Sequence, residues 1–165
     1  MKTMVFVPVS ATELAGVRTG ESFPQGPAYA ATAALCHTFD YHATQTEDAD
    51  FAAQVFASLC CLSLGLPRCV LAVETAAMPT GCGEEAFGEV TRPDSGWLDV
   101  KAVFVDDPAT VSRRRAYATA ARDRTVTDLW ADPTTHTFLA HHALLWFHPT
   151  ELDAVLMMLS DSSTS

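Results

Sequence analysis

The sequence predicts one α/β (α+β) domain over residues 1–159, built on a single mixed sheet of four or five strands with helices mainly on one face. Residues 5–12 (VFVPVSAT) and 103–110 (VFVDDPAT) share five of eight positions, and each is an apolar, β-branched run that ends at a helix N-cap signal. A strand that leads directly into a helix, used twice, is typical of a domain built on one sheet. The strand-like runs are also too continuously apolar to face solvent, so helices should cover the sheet.

Local signals set the elements of the first half of the chain. Ser10 and Glu13 form a capping box, which predicts a short helix directly after the first strand. Thr44 and Glu47 form a second capping box, and the apolar helix that follows is ended by Gly65. The predicted elements are strand 3–9, a short helix, a loop at 24–27, strand 28–32, helical turn 33–41 and helix 48–64, which forms the central helix within residues 45–64.

The second half contains two further long strands, 68–76 and 97–105, separated by a glycine-rich segment. That segment, residues 77–96, holds four of the eight glycines, and we expect a mobile loop that carries no catalysis. Asp-Pro pairs then open two helices, because aspartate caps a helix and proline fits its first turn. The remaining predictions are an arginine-rich helix from 107, a short helix from 132, strand 143–147, a final helix from 149 to 159 and a disordered tail at 160–165.

Composition limits the classes of partner. The net charge of −10 disfavours nucleic acid or an anionic membrane as the main partner. The chain has no apolar run near the ~18 residues that span a bilayer, and its N-terminal run is a poor signal peptide. We therefore expect a cytoplasmic protein. Its five cysteines are an odd number without a CxxC pair, which predicts free, buried thiols.

The sequence offers no strong catalytic or metal-binding pattern. Four of the six histidines lie between residues 136 and 148, but their spacing does not match a helical metal motif, so surface or capping roles are expected. Motifs for a serine nucleophile, a Walker A loop and a dinucleotide-binding turn are absent from the sequence. We predict no catalytic residue, no metal and no cofactor, and whether the protein is an enzyme stays open.

The arginine-rich helix is the most chemically suggestive segment. On a helical wheel Arg115 and Arg122 lie about 20° apart, flanked by Thr119 and Ser112. Two guanidinium groups with hydroxyls between them suit a carboxylate or a phosphate. The alternative is that the arginines of this helix pair with the chain's own carboxylates, as is usual in an acidic protein.

Three segments carry a family resemblance. An FVP strand precedes a short helix, DADFAAQVFASLCCL runs into RCVLAVE, and AVFVDDP and HHALLWFHPTEL follow later. Together they resemble an uncharacterised family of small actinobacterial proteins, a domain of unknown function, over residues 4–155. The resemblance implies an intracellular protein and supplies no activity, cofactor or site residue.

Two classes of function remain. Because no catalytic motif stands out, we favour a non-catalytic interaction or regulatory protein. The alternative is a small enzyme or ligand-binding protein that recognises an anionic small molecule through Arg115, Thr119 and Arg122. A concave pocket that contains both arginines without an internal carboxylate would favour the alternative. The apolar helix 48–64 must be covered by the sheet and the short helices or by a second copy, so a homodimer is also a prediction.

Overall fold

The computed structural model describes the backbone of residues 2–163 and the side chains of residues 2–161. Its centre is a sheet of six strands: β1 (Thr3–Pro8), β2 (Pro27–Ala30), β3 (Cys69–Thr75), β4 (Glu89–Thr91), β5 (Val100–Val105) and β6 (Leu145–Phe147). The spatial order is β4-β2-β1-β3-β5-β6, and each neighbouring pair is antiparallel.

The described chain also forms seven α-helices. They are α1 (Ala11–Arg18), α2 (Ala33–Thr38), α3 (Thr46–Ser63), α4 (Val111–Ala121), α5 (Val126–Ala131), α6 (Pro133–His141) and α7 (Leu152–Ser163). Helix α7 extends into the segment 160–165, which the sequence predicts to be a disordered tail. Residues 164 and 165 lie outside the described residues.

The α+β class is confirmed, but the prediction of a mixed sheet with four or five strands is wrong on both counts. The additional strand is β4, a three-residue strand within the segment expected to be a loop. Helix α3 does join two strands that run in the same direction, β2 and β3. Strand β1 lies between them, however, so every hydrogen-bonded pair is antiparallel. Strand-helix alternation along the chain does not reveal such an intervening strand.

Alternate residues of the strands feed two apolar layers, one on each face of the sheet. Phe6, Val70 and Ala102 face the layer that contains the buried residues of α2 to α6. Residues of opposite parity, such as Val7 and Leu71, face α1 and α7. Five helices therefore cover one face and two cover the other, which explains why the strands are apolar on both sides.

Helix α3 is the central helix, as predicted. Ten of its eighteen residues are buried, and it packs on the sheet with α2, α4 and α5 around it. The chain itself therefore covers the apolar surface of α3, for which a second copy was the alternative. The predicted Thr44–Glu47 capping box is wrong: Gln45 is the N-cap residue and makes no side-chain capping bond, although its side chain accepts a hydrogen bond from the His42 N–H.

Other helix starts follow the sequence signals. The Ser10–Glu13 capping box is present with both of its hydrogen bonds. Asp107 accepts a hydrogen bond from the Ala109 N–H, and Asp132 accepts one from the Thr134 N–H. Short polar side chains before a helix thus satisfy backbone donors that the helix leaves without partners.

The segment 77–96 has more structure than predicted. It contains a 3-10 turn (Glu85–Phe87) and β4, and the side chains of Phe87 and Val90 are buried. Arg92 donates hydrogen bonds to the carbonyls of residues 8, 24 and 27 and pairs with Glu13 at 2.7 Å. The expectation that the whole segment is a loop is wrong, because apolar anchors and the Arg92 side chain, which is 6% exposed, hold it against the domain. Its mobility stays a prediction.

A second tie fixes the same segment to the helical layer. The Glu84 carboxylate accepts hydrogen bonds from the N–H groups of Val126 and Thr127 at the start of α5, and from the Thr127 hydroxyl. A carboxylate at this position also interacts favourably with the positive end of the helix dipole. Glu84 therefore caps the start of α5, although it belongs to the segment 77–96 that the sequence predicts to be a loop.

Candidate functional site

A cleft of about 400 Å³ lies between the C-terminal end of α3 and the side of α4. Its apolar lining comes from both elements and the turn that follows α3: Leu62, Leu66, Pro67, Val111 and Ala118. Its polar side chains all come from α4 and the residue after it: Arg114, Arg115, Thr119 and Arg122. A volume of this order is within the range of small-molecule sites.

The three residues selected from the sequence line this one cleft together. Arg115 and Thr119 lie one turn apart on α4, and Arg122 is the first residue beyond the helix. All three side chains are exposed. The helical spacing that placed them on one face therefore brings them to the same concave surface.

Arg115 and Arg122 carry no ion pair with the described side chains. Among the side chains of residues 2–161, five other arginines pair with carboxylates: Arg18, Arg68, Arg92, Arg114 and Arg124. Over the same residues, neither Arg115 nor Arg122 has a carboxylate or hydrogen-bond partner. The pairing expected for an acidic protein thus holds for five arginines of the described chain but not for Arg113 or for the two arginines of the cleft.

The turn after α3 shapes one wall of the cleft. Leu66 N–H donates to the Cys61 carbonyl and Gly65 N–H donates to the Leu62 carbonyl, the pattern of a Schellman C-cap. Gly65 has φ +74°, and a Cβ there would lie 2.9 Å from Arg122 Nε. The left-handed backbone favours glycine here, and the missing Cβ lets the Arg122 guanidinium approach the turn.

A buried ionic network lies behind the cleft. Arg68 is 1% exposed, and its Nε donates to Asp106 Oδ1 at 2.9 Å while its Nη2 donates to the same oxygen at 2.6 Å. Its backbone N–H donates to Asp106 Oδ2 at 3.0 Å. Arg114 Nη1 approaches the same Oδ2 at 3.1 Å. One carboxylate thus binds two guanidinium groups.

Arg114 links this network to the cleft. Its Nε donates to the Thr110 hydroxyl and its Nη2 to the Asp107 carbonyl. Burial lowers the pKa of Arg114 and the charge of Asp106 opposes that shift, but a guanidinium stays protonated in proteins. The charge of Asp107 also acts on Arg114, so two carboxylates lie near the two guanidinium groups of this network.

The histidines take mainly local roles. His148 accepts a capping bond from the Thr150 N–H, and the rings of His136 and His141 contact backbone carbonyls of their own region. His142 stacks near Phe138, and its Nδ1 is buried without a partner among the described residues. Burial, together with the charges of Arg68 and Arg114, lowers the pKa of His142. Among the described residues, no cluster of His, Cys, Asp or Glu is placed to hold a metal.

The cysteines are also poor candidates for chemistry. All five are free thiols, and Cys60, Cys61 and Cys69 are buried. Burial raises the pKa of Cys60 to about 11 and that of Cys61 to about 12. Because the thiolate is the reactive form, these adjacent thiols are held in their inert form at neutral pH.

A second, more open cleft of about 520 Å³ lies where β3 meets the 77–96 segment. Three of its four charged side chains have partners: Glu74 pairs with Lys2, Asp99 accepts from the Gly96 N–H, and Arg92 donates to the Pro8 carbonyl. The fourth, Asp94, is an anion and does not suit an anionic ligand. We therefore place the candidate site at the arginine cleft.

Sequence reasoning missed the part of the site that comes from distant segments. Arg68 and Asp106 flank the paired residues Cys69 and Val105 at one end of β3 and β5, so knowledge of that strand pairing would have placed them together. Arg114, which the helical wheel directs away from Arg115, lines the edge of the same cleft. The turn at Gly65 was found as a helix stop, but its position against α4 depends on tertiary packing.

Comparisons with known proteins give one match. A family model described as a family of unknown function, DUF6912, matches residues 3–156. Neither the curated proteins nor the solved structures contain a match to the chain. The predicted membership of a family of unknown function is confirmed, while the actinobacterial origin stays a prediction. Separately, no helix among the described residues is long and apolar enough to cross a membrane.

Proposed function

Because the chain belongs to DUF6912, a family of unknown function, we propose its role from the site itself: the protein binds a small anionic molecule in the cleft between α3 and α4. Arg115 and Arg122 bind the anionic group and Thr119 donates or accepts a further hydrogen bond. The observation that carries the proposal is that two arginines without internal carboxylate partners face one concave surface in a chain of net charge −10.

Electrostatics support this assignment. Twenty acidic residues offer many opportunities for pairing, yet the described chain leaves Arg115 and Arg122 without a carboxylate. Arg114 places a third guanidinium at the lining of the same cleft, although Asp106 and Asp107 lie near it. A planar guanidinium binds a carboxylate or phosphate through two parallel hydrogen bonds, so the pair is suited to such a group.

The lining supports binding rather than catalysis. Arginine cannot act as a general base because it stays protonated, and the other lining side chains are one threonine and aliphatic groups. Between the two functions considered from the sequence, the cleft therefore favours a ligand-binding protein over an interaction protein without a ligand.

The experiment is a thermal-shift and calorimetric titration with inorganic phosphate and with hexanoate at constant ionic strength. A ligand at 100 times its dissociation constant stabilises the folded state by about 2.7 kcal/mol. We expect Arg115→Gln and Arg122→Gln each to weaken binding by roughly 10- to 100-fold, the effect of losing a charge-assisted hydrogen bond.

Arg113→Gln is the matched control. Arg113 is an exposed arginine on the same helix, and it does not line the cleft. Its replacement removes the same charge and should leave binding within about twofold of wild type. Equal losses in all three variants would show a nonspecific charge effect, and the proposal would be rejected.

Self-association is retained as a second proposal. The burial of α3 removes the reason for expecting a dimer through that helix, but Trp146 on the edge strand β6 is 57% exposed. An edge strand presents backbone groups that a second copy can pair with. Sedimentation at micromolar concentration would give a mass near 17.7 kDa if the protein is monomeric.

A cytoplasmic location likewise remains a proposal, supported by the chain's composition.

A further inference from the structure

We infer that the anion bound in the cleft has an apolar body, as in a short aliphatic or aromatic carboxylate or phosphate ester, rather than a sugar or a nucleoside. This inference rests on the proposed function and specifies its ligand. It follows from the kinds of hydrogen-bonding groups that line the cleft beyond the two arginines.

The side chains of the cleft provide many donors and few acceptors. Arg114, Arg115 and Arg122 are donors only, so Thr119 is the one lining residue whose side chain can accept a hydrogen bond. A polyol or a nucleobase brings several hydroxyl or amino donors of its own. Most of those donors would find no side-chain acceptor in this cleft and would lose their water partners on binding.

Backbone acceptors at the end of α3 are also engaged. The carbonyls of residues 60 to 63 accept hydrogen bonds from the N–H groups of Leu64, Leu66, Gly65 and Asp123, respectively. The Schellman turn thus uses, within the protein, the oxygens that a helix C-terminus would otherwise present. These four oxygens are therefore not free to accept hydrogen bonds from a ligand, and the turn brings the aliphatic side chains of Leu66 and Pro67 to the cleft.

That aliphatic surface is continuous with the arginines. Leu62, Leu66, Pro67, Val111 and Ala118 line the cleft next to the guanidinium groups. A ligand that has its anionic group on Arg115 and Arg122 would place its remaining atoms against these residues. Methylene or aromatic groups gain from this contact because they leave water, whereas hydroxyl groups do not.

The test is isothermal titration calorimetry on the full chain with two matched pairs of anions. Hexanoate and gluconate share a carboxylate and six carbons, but gluconate carries hydroxyl groups along its chain. Phenyl phosphate and glucose 6-phosphate share a phosphate ester with an apolar or a polyol body. In each pair we expect the apolar member to bind at least about tenfold more tightly, which corresponds to about 1.4 kcal/mol. Comparing the pairs shows whether a carboxylate or a phosphate is preferred.

Two variants separate this inference from the proposed function. Arg115→Gln should weaken both members of a pair by a similar factor, because they share the anionic group. Ala118→Ser adds a hydroxyl to the apolar wall and should reduce the ratio of affinities within each pair.

Gluconate or glucose 6-phosphate binding as tightly as its apolar counterpart would overturn the inference and leave the proposed function standing. If none of the four anions binds, both are rejected. Hexanoate binding that survives the combined replacement of Arg115 and Arg122 by glutamine would place the apolar anion elsewhere, and the inference would again fail.

Discussion

Arg114 and Arg115 are adjacent on one helix, yet they lie in contrasting surroundings. Arg114 is 5% exposed and shares the Asp106 carboxylate with Arg68, whereas Arg115 is exposed and has no partner among the described side chains. Successive helical residues point about 100° apart, so one side chain turns towards the end of the sheet and the other towards the cleft. The same residue type thus stabilises the fold at one position and is available for a ligand at the next.

The difference is one of desolvation. Arg68, Asp106 and Arg114 have left water, and each keeps its charge through several short hydrogen bonds. Removing one member leaves a buried charge without a partner, which is costly. Arg115 and Arg122 stay hydrated, so their loss should hardly affect folding. Stability and ligand affinity should therefore respond to different arginines.

The largest expected effect comes from Asp106→Asn. This change leaves Arg68 and Arg114 buried without a counter-charge, and we expect the free energy of unfolding to fall by about 3–5 kcal/mol. Urea denaturation measures it. Asp107→Asn is the control, because it makes the same chemical change at the adjacent residue. Asparagine can still accept the hydrogen bond from the Ala109 N–H, so the loss of stability should be smaller. A loss below about 1 kcal/mol for Asp106→Asn would show that the network contributes little to the fold.

Arg114→Gln and Arg115→Gln test the comparison directly. Arg114→Gln removes the ion pair with Asp106 and the hydrogen bonds to Thr110 and the Asp107 carbonyl, so the free energy of unfolding should fall by about 2 kcal/mol. Arg115→Gln should stay within about 0.5 kcal/mol of wild type, as exposed substitutions usually do. Equal stabilities for the two variants, measured by urea denaturation, would contradict the distinction between buried and cleft arginines.

Local patterns in the sequence predicted one arginine environment better than the other. Helical periodicity alone was enough to place Arg115, Thr119 and Arg122 on one face, because that relation depends only on 3.6 residues per turn. Arg68 and Asp106 are 38 residues apart in the chain, and their pairing depends on β3 and β5 being neighbours in the sheet. Which strands are neighbours is a tertiary property, so the buried network could not be read from local spacing.

The same limit explains the errors in the fold. Apolar runs and the helix stop at Gly65 predicted β1, α3 and β5 within a few residues, because these signals act locally. Strand β4 has three residues, and Arg92 ties its segment to β1, to the first residue of β2 and to the loop before β2. The amino-acid composition of this segment is typical of a mobile loop. Composition does not show that one arginine makes several hydrogen bonds to distant backbone carbonyls.

Gly65→Ala should affect both regions, with a smaller effect on stability. The left-handed φ of +74° costs a residue with a side chain about 1 kcal/mol, and the new Cβ would displace the Arg122 guanidinium. We expect that loss in urea denaturation and a several-fold loss of hexanoate affinity in calorimetry.

Gly20→Ala separates these two causes. Gly20 also has a positive φ, +104°, but a Cβ there would meet nothing within 4 Å. It should lose a similar amount of stability and keep wild-type affinity. If Gly65→Ala bound hexanoate as wild type does, the close approach of Arg122 to the turn would be irrelevant to the site.

The smallest expected effect is a dependence on pH that is confined to the internal pairs. Burial raises the pKa of Glu13, but the hydrogen bond and charge of Arg92 and the Ser10 N–H outweigh burial, and the pKa lies below its ordinary value of 4.5. A lowered pKa means that the pair stabilises the fold above pH 4.5 and that this contribution is lost as pH falls through the folded-state pKa. The difference in unfolding free energy between wild type and Glu13→Gln should therefore shrink between about pH 6 and about pH 3, as urea denaturation would show.

For Arg115→Gln the difference from wild type should stay constant over the same range, because no carboxylate is paired with that arginine in the described chain. If the difference in unfolding free energy between wild type and Glu13→Gln did not change with pH, the Glu13 carboxylate would not contribute to stability. Arg92 would then hold the 77–96 segment through its hydrogen bonds to the carbonyls of residues 8, 24 and 27 alone.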